Sequence, residues 1–501
     1  MPRKRASKKP ALMATSLVLD ASSQAPLHRQ LYEALRTSIV AGRLPPGTRL
    51  LSTRSLAEQL DLSRNTVMSA YTQLLSEGYL VGQLGSGTYV AKELPERMPA
   101  PRRAPIRTPS KSASPPPISK RGSTMAAAHA GLRATLGMVQ ASMAFRLGMP
   151  SVDAFPSELW GRLHHRRWQR SWRDVLSHQD PQGYLPLRRA LADYLATSRG
   201  VRCGPEQILI VNGSQQAISL VAQVLLDPGD AVWVEDPGYI VAQGVLKAAG
   251  ASLVHVPVDE EGLNVEAAIQ LSPNARLATV TPSSQFPLGV TLSHRRRLAL
   301  LQWAERSNAW VFEDDYDSEY RYVGRPLAAL QGLTPDARVL YTGTFSKVLT
   351  PNLRLGYLVV PEELVDTFIA ARTFSDFQSA PLEQTVLTDF ITEGHFSRHV
   401  RRMRTLYAEK QALLVEEARR ELAGLIDIGP ADTGMHLLGW LPPGMDDRTA
   451  AERAAAAGIS APPLSAYRGQ TSGRGALLLG YAAVPERDIS EGVRRLAQAL
   501  R

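Results

Sequence analysis

The chain has 501 residues, which is too long for one ordinary domain, so two or three domains are expected. No apolar run reaches the roughly 20 residues of a transmembrane helix, and no apolar segment follows the basic N-terminus as in a signal peptide. The single cysteine, Cys203, excludes an internal disulfide. A cytoplasmic protein is therefore expected. The net charge of +10 lies in the first quarter, where residues 1–121 hold 19 Lys and Arg against 7 Asp and Glu, which favours a nucleic-acid partner, although a solvated basic tail would give the same charge.

Residues 1–24 begin with MPRKRASKKP and are predicted to be a disordered basic arm. From Pro26 the pattern changes, because Leu27, Leu31, Leu35 and Ile39 are spaced four apart on one face of a helix. Two short helices are predicted next, over 55–60 and over 64–77, the second with Ser63 as its N-cap and Gly78 after its end. Strands over 79–81 and 88–90 then enclose a turn at 83–87.

Three helices followed by a small hairpin predict a winged helix-turn-helix over residues 25–93. In that motif the second helix of the pair enters the major groove, and the residues at its start meet base edges. The polar residues near that start, before the preceding helix and in the wing can contact bases or phosphates. These candidates are Arg49, Ser52, Thr53, Arg54, Ser63, Arg64, Asn65, Thr66, Ser86 and Gly87. The string RSLAEQLDLSRNTVMSAYTQLLSEGYL, with GSGTYV after it, resembles the GntR family of bacterial regulators, which implies that this part binds DNA.

Residues 94–142 are predicted to be a proline-rich linker, because 95–117 hold eight prolines in 23 positions. From residue 143 to 501, short apolar strands alternate with helices. The predicted strands are 208–211, 231–235, 276–280, 309–313 and 339–342, and the predicted helices are 214–226, 239–249 and 294–307. This alternation predicts an α/β domain with a mostly parallel sheet and helices on both faces, whose ligand site is at the carboxyl ends of the strands.

Two strings at strand ends indicate an aldehyde cofactor. In YTGTFSK, Lys347 follows an apolar strand, and a lysine there can form a Schiff base, although an isolated lysine on a loop is by default a solvated one. Thr344, Ser346 and Arg354 are placed to hold a phosphate. In VFEDDY, one buried carboxylate would meet the protonated ring nitrogen; Asp314 is favoured, with Asp315 as the alternative. Tyr316 would donate to the phenolic oxygen of the ring.

Two more strings complete the candidate site. NGSQQ joins a strand to a helix, where the free N–H groups of the helix start, with Ser214 and Gln215, are suited to a phosphate. EDPGY places Tyr239 where its ring can stack on a cofactor, although a buried core tyrosine is equally consistent with that motif alone.

The four strings, in this order, resemble the fold type I aminotransferases. The resemblance implies pyridoxal 5'-phosphate bound to Lys347, a small C-terminal subdomain, an approach of Gln285 to the cofactor, and a homodimer in which Tyr184 reaches the phosphate of the neighbouring subunit. A GntR-type domain joined by a linker to such a body is the arrangement of the MocR subfamily. Two departures are notable, since Ser284 replaces a histidine of many relatives, and LLLGYA at 477–482 lacks an arginine for an effector carboxylate, which leaves Arg468 and Arg474 as candidates.

These features predict a transcription regulator that binds double-stranded operator DNA and responds through pyridoxal phosphate to a small amine or amino acid. An active aminotransferase with an incidental DNA module is the main alternative, because the cofactor chemistry would be the same. A degenerate body that only dimerises the DNA-binding part is a further one.

Overall fold

The computed structural model describes residues 19–20, 25–83, 86–95, 117–136, 144–177, 180–324, 326–470 and 472–501. It divides into two compact units, residues 1–116 and 117–501. Most of the predicted arm and the middle of the predicted wing turn lie outside the described residues. No helix within the described ranges is long and apolar enough to cross a bilayer.

The N-terminal unit has three helices and one hairpin among its described residues. They are α1 (Leu27–Val40), α2 (Thr53–Leu60), α3 (Arg64–Ser76), β1 (Leu80–Gln83) and β2 (Gly87–Val90). The hairpin is antiparallel, with Leu80 paired to Val90. Leu31, Leu35 and Ile39 of α1 pack with the other apolar side chains of this unit, as the four-residue spacing predicts. Leu27 does not share their burial and is 41% exposed, at the first position of α1.

Both helices of the helix-turn-helix begin with a serine cap. Ser63 Oγ accepts a hydrogen bond from the Thr66 N–H at 3.1 Å, and Ser52 Oγ does the same for Ser55. A side-chain oxygen at this position satisfies one of the N–H groups that the first turn leaves without an intrahelical partner. The predicted cap of α3 is therefore confirmed.

Ser63→Ala is expected to lower the free energy of unfolding of the N-terminal unit by about 1 kcal/mol, because the Thr66 N–H loses its acceptor. Urea denaturation, followed by a probe in this unit, measures the loss. Ser69→Ala is the control, since Ser69 lies exposed within the same helix. Equal stability of the two variants would show that the cap contributes nothing.

The C-terminal unit alternates helices and strands over most of its length. The helices are α4 (Lys120–Leu136), α5 (Ser157–Leu176), α6 (Leu185–Arg199), α7 (Ser214–Leu225), α8 (Ile240–Ala249), α9 (Val265–Leu271), α10 (His294–Arg306), α11 (Val365–Ser375), α12 (Pro381–Thr392), α13 (His395–Glu421), α14 (Asp447–Ala456) and α15 (Glu486–Leu500). The strands are β3 (Ile208–Val211), β4 (Ala231–Asp236), β5 (Ser252–Asp259), β6 (Gly262–Leu263), β7 (Leu277–Val280), β8 (Trp310–Asp315), β9 (Val339–Thr344), β10 (Gly356–Val359), β11 (Asp427–Ile428), β12 (His436–Trp440) and β13 (Ala476–Gly480).

Eight strands form one sheet in the order β3-β10-β9-β8-β7-β4-β5-β6. The pairs β9–β8, β8–β7, β7–β4 and β4–β5 are parallel, whereas β10 runs antiparallel to both of its neighbours and the short β6 runs antiparallel to β5. The central strands are buried along nearly their whole length, as expected for a sheet covered by helices. The prediction of a mostly parallel α/β sheet is confirmed.

A second, three-stranded antiparallel sheet, β11-β12-β13, forms a small subdomain with α14 and α15. Its core contains apolar side chains of β12, β13 and α15, for example Leu437, Leu479 and Leu496, together with those of the long helix α13. This is the small C-terminal subdomain that the resemblance implies.

The predicted linker ends too late. Residues 117–136 belong to the C-terminal unit, and α4 lies inside the range 94–142 that was assigned to the linker. The helix packs on α8, where Arg121 Nε donates to the Ala248 carbonyl at 2.9 Å. The reason for the error is compositional, because the proline-rich stretch stops at Pro117 and an alanine-rich segment with high helix propensity follows it.

Candidate functional site

A cavity of about 500 Å³ lies at the carboxyl ends of the central strands. Each predicted string reaches it from a different strand: Ser214 follows β3, Tyr239 follows β4, Asp314 is near the end of β8, and Lys347 follows β9. The structure brings most of the predicted cofactor residues into the lining of this one cavity. They are Ser214, Gln215, Tyr239, Asp314, Tyr316, Thr344, Ser346, Lys347 and Arg354.

Lys347 points into the cavity, where its Nζ donates to the Gly148 carbonyl at 2.8 Å. Gly148 has φ +67, and a Cβ there would lie 2.7 Å from that nitrogen, so this approach requires a glycine. Burial lowers the pKa of Lys347, and the negative charges of Asp317 and Asp314 oppose that effect. A lysine with a lowered pKa holds its amine in the neutral, nucleophilic form at lower pH.

The structure distinguishes Asp314 from Asp315, the two carboxylates that the sequence offers for the ring nitrogen. Asp315 is bound in the core, since its Oδ2 accepts from Arg199 Nε at 2.8 Å and from Tyr341 Oη at 2.5 Å. Asp314 lines the cavity, and its Oδ1 has no hydrogen-bond partner among the described residues. Burial, reinforced by Asp315, raises the pKa of Asp314 to about 7, whereas Lys347 lowers it. Asp314 is therefore the carboxyl that is available to a positive or donating group in the cavity.

One end of the cavity is suited to an anion. Helix α7 begins here at Ser214, and its N-cap, Gly213, has φ +103 and no side chain to cap the first turn. The guanidinium nitrogens of Arg354 lie 3.9 Å from the position that a Cβ on Gly213 would take. The positive end of a helix and an arginine side by side, with the hydroxyls of Ser214 and Ser346, form a site suited to a phosphate group.

Four predicted residues do not line this cavity. Gln285 is buried, and its Nε2 donates to the Pro237 and Phe286 carbonyls, so it supports the loop next to the cavity from behind. Tyr184 precedes α6 and packs against the apolar cluster that includes Ile208 and Ile210 of β3. Arg468 donates to the Gly473 and Arg474 carbonyls. Arg474 donates to the Leu441 carbonyl at 2.6 Å, so backbone oxygens already bind both arginines.

Residues that sequence reasoning missed also line the cavity, among them Arg146, Asp317, His436 and Tyr467. Asp317 could have been predicted from the sequence, because it directly follows the VFEDDY string. The other three come from segments far away in sequence, before the sheet or in the small subdomain. No local pattern distinguishes them, since only the fold brings them to the cavity.

In the N-terminal unit, the start of α3 is open to solvent. Ser63, Arg64 and Asn65 are exposed, and so is Met68 one turn later. Next to the turn of the wing the exposed Arg49 is close to Gly87, whose Cβ position lies 3.0 Å from Arg49 Nε and whose φ is +120. The helix start and the wing thus present donors for bases and phosphates.

Comparison with known proteins agrees with both parts of the fold. The family model for bacterial regulatory proteins of the gntR family matches residues 27–90, and that for aminotransferase class I and II matches residues 162–496. A probable rhizopine catabolism regulatory protein, MocR of Rhizobium meliloti, is 43% identical over 96% of this chain and 95% of its own length. The chain belongs to the MocR subfamily of GntR-type transcription regulators. The pyridoxine biosynthesis regulator PdxR of Corynebacterium glutamicum is 32% identical over 91% of this chain and 92% of its own.

Solved aminotransferases match the C-terminal domain of this MocR-type chain. LysN, the α-aminoadipate aminotransferase of Thermus thermophilus, solved with N-(5'-phosphopyridoxyl)-L-leucine, has a TM-score of 0.69 at 30% identity and covers 76% of this chain and 97% of its own. The kynurenine aminotransferase of Pyrococcus horikoshii, solved with PMP, has a TM-score of 0.70 at 28% identity, covering 76% and 96%. This regulator is therefore a DNA-binding protein whose C-terminal domain has fold type I and takes pyridoxal phosphate. The predicted class of function is confirmed in preference to a working aminotransferase.

Proposed function

We propose that this regulator holds pyridoxal phosphate on Lys347 and changes its affinity for operator DNA when a small amine enters the same cavity. The observation that carries the proposal is that Lys347 shares one buried cavity with an anion site and with two polar groups that lack partners. Asp314 Oδ1 and Tyr316 Oη are buried without a hydrogen-bond partner in the described part of the chain. Such groups cost free energy unless a ligand satisfies them, and the pyridine ring of the cofactor offers them a protonated nitrogen and an oxygen.

Each side chain then has a distinct task. The start of α7, Ser346 and Arg354 bind the phosphate, which fixes the cofactor at one end. Asp314 would hold the proton on the ring nitrogen, and Tyr239, which follows β4, would pack against the ring. When bound, pyridoxal phosphate supplies an aldehyde that bonds to primary amines and a ring that withdraws electrons. Tyr184 contributes to the phosphate site of the partner subunit in a homodimer.

A route from the cavity to the rest of the chain passes through α4. Leu132 of α4 lines the cavity, and the same helix packs on α8, which begins directly after Tyr239. Residues 96–116, which connect the two units in sequence, lie just before this helix. An amine that changes the packing of Leu132 would therefore act on the segment that is closest in sequence to the DNA-binding unit, and it acts only by its different affinity for the two states.

The proposal is tested by titrating the cofactor-free, full-length protein with pyridoxal phosphate and recording absorbance and thermal unfolding. A visible absorbance band should appear at saturation, and the C-terminal unit should gain about 2.7 kcal/mol of stability at a ligand concentration about 100 times the dissociation constant. If neither changes, the cavity does not hold this cofactor. A working enzyme would show sustained conversion of an amino donor with 2-oxoglutarate, which the proposal does not require.

For the DNA-binding unit we propose that Arg64 and Asn65 contact bases, while Ser52, Thr53, Arg54, Ser63, Thr66, Arg49, Ser86 and Gly87 contact phosphates. Arg64→Ala is expected to cost about 1–3 kcal/mol of binding free energy at one base pair, if Arg64 makes a bidentate contact to guanine. Binding assays on an operator series with single base changes measure this. Arg43→Ala, at an exposed turn outside the proposed contacts, is the control. A loss that is uniform over all sequences would show that Arg64 contacts phosphate instead.

The shared-site role of Tyr184 requires a dimer. Sedimentation of the cofactor-loaded protein is expected to give a homodimer, and Tyr184→Phe is expected to weaken cofactor retention without changing the visible band. A loaded monomer, or a variant that retains the cofactor as well as the wild type, would contradict the shared site.

A further inference from the structure

One carboxyl group in the cavity has no task among the proposed cofactor contacts. Asp317 lies after Tyr316 and lines the cavity together with Lys347. Only 1% of the residue is exposed, and its Oδ2 has no hydrogen-bond partner among the described residues. A buried carboxyl with an unused oxygen costs free energy unless a ligand supplies a donor or a positive charge.

Asp317 lies where the sheet meets the small subdomain. Gly434, in the loop before β12, has φ +95, and a Cβ on it would lie 3.4 Å from Asp317 Oδ2 and 3.5 Å from Ser284 Oγ. Met435 and His436 follow directly and line the cavity. A molecule bound to Asp317 would therefore contact the sheet and the subdomain at once.

The charge that offsets Asp317 in the structure is that of Lys347. Burial, together with the charges of Asp315 and Glu319, raises the pKa of Asp317 well above its ordinary value, whereas the charge of Lys347 and the nearby Tyr316 hydroxyl lower it. A lysine whose nitrogen is bonded to the cofactor is no longer a free ammonium. The loaded cavity thus contains a carboxyl group that a second cation would stabilise.

Neither arginine that the sequence suggests for an effector carboxylate is in the cavity, which argues against an amino acid as the effector. Arg468 and Arg474 donate to backbone carbonyls and do not line the cavity. Arg146 does line the cavity, which makes an amino acid the competing ligand in the experiment below.

We infer that the effector is a diamine whose first amino group takes the place of the Lys347 nitrogen on the cofactor, which frees the Lys347 amine, and whose second, as an ammonium, binds Asp317. The inference rests on the proposed function, since it specifies which amine enters the cavity.

The experiment uses the full-length, cofactor-loaded protein and follows the cofactor absorbance during titration with 1,5-diaminopentane, pentylamine or 5-aminopentanoate. The diamine is expected to bind at least about tenfold more tightly than pentylamine, because a charge-assisted hydrogen bond in a buried site contributes at least that much. Asp317→Asn is expected to abolish the preference and to bind both amines as the wild type binds pentylamine. Glu319→Gln is the control, because Glu319 is a neighbouring, half-buried carboxyl that accepts from Tyr194 Oη at 3.0 Å and does not line the cavity.

The inference is overturned if the wild type does not prefer the diamine, if Asp317→Asn keeps the preference, or if 5-aminopentanoate binds most tightly. The wild-type comparison decides the matter even if Asp317→Asn fails to load the cofactor. If pyridoxal phosphate gives the protein no visible band, the proposed function itself fails; if the band forms but none of the three amines changes it, the inference alone is overturned.

Discussion

Lys347→Ala is expected to remove the visible absorbance band that pyridoxal phosphate gives the wild-type protein, and dialysis should then remove the cofactor completely. The reason is that Lys347 Nζ is the one amine nitrogen among the residues described as lining the cavity, and it is held at 2.8 Å from the Gly148 carbonyl. The anion site and Asp314 remain in the variant, so weak, reversible binding of the cofactor is expected to persist. Absorbance before and after dialysis measures both effects.

Lys247→Ala is the matched control, because Lys247 is an exposed lysine near the end of α8 and does not line the cavity. The control should keep the band through dialysis. A band of wild-type strength in Lys347→Ala would assign the covalent bond to another residue and would refute the central role of this lysine.

Arg199→Met is expected to destabilise the C-terminal unit by about 3–5 kcal/mol, because it breaks a buried ion pair. Arg199 is 5% exposed and pairs with the equally buried Asp315 at 2.8 Å; it also donates to Ser283 Oγ at 2.6 Å and to the Leu327 carbonyl at 2.7 Å. Its removal leaves the charge of Asp315 buried without its cation, next to Asp314.

Chemical denaturation of the full-length protein measures this loss. Arg295→Met serves as the control, since Arg295 pairs with Glu261 and Glu266 at an exposed position, with 60% of its side chain accessible, and such pairs contribute at most about 1 kcal/mol. If the two variants lose the same stability, the buried pair does not hold the end of β8 in place as the structure indicates.

Much of the fold follows from local patterns. The apolar strands before each candidate site residue are nearly continuous, so five of the eight strands of the sheet and three of its helices could be predicted with approximate limits. The antiparallel placement of β10 could not, because strand order and direction depend on contacts between distant segments. Leu27 illustrates the same limit, since its spacing matches the buried face of α1 but at the helix start it is 41% exposed.

For the candidate site, too, some residues could be predicted from local sequence and others could not. Lys347, Asp314 and Tyr239 lie within strings that end strands, and a strand end predicts a place on one edge of the sheet. The choice between Asp314 and Asp315 required the position of Arg199, which is more than a hundred residues away and determines which carboxylate is bound in the core. Arg468 and Arg474 were chosen by proximity to the chain's end, and their contacts with backbone carbonyls could not be read from the sequence.

An amine that reaches the cofactor at Lys347 is expected to alter DNA binding by this regulator. The most direct test is the dissociation constant for an operator, selected from random-sequence DNA by the full-length protein, measured with and without 1,5-diaminopentane for the cofactor-loaded wild type and for Lys347→Ala. The dissociation constant is expected to change by about 5- to 150-fold in the wild type and not at all in Lys347→Ala. The same affinity and the same footprint under all four conditions would contradict this expectation.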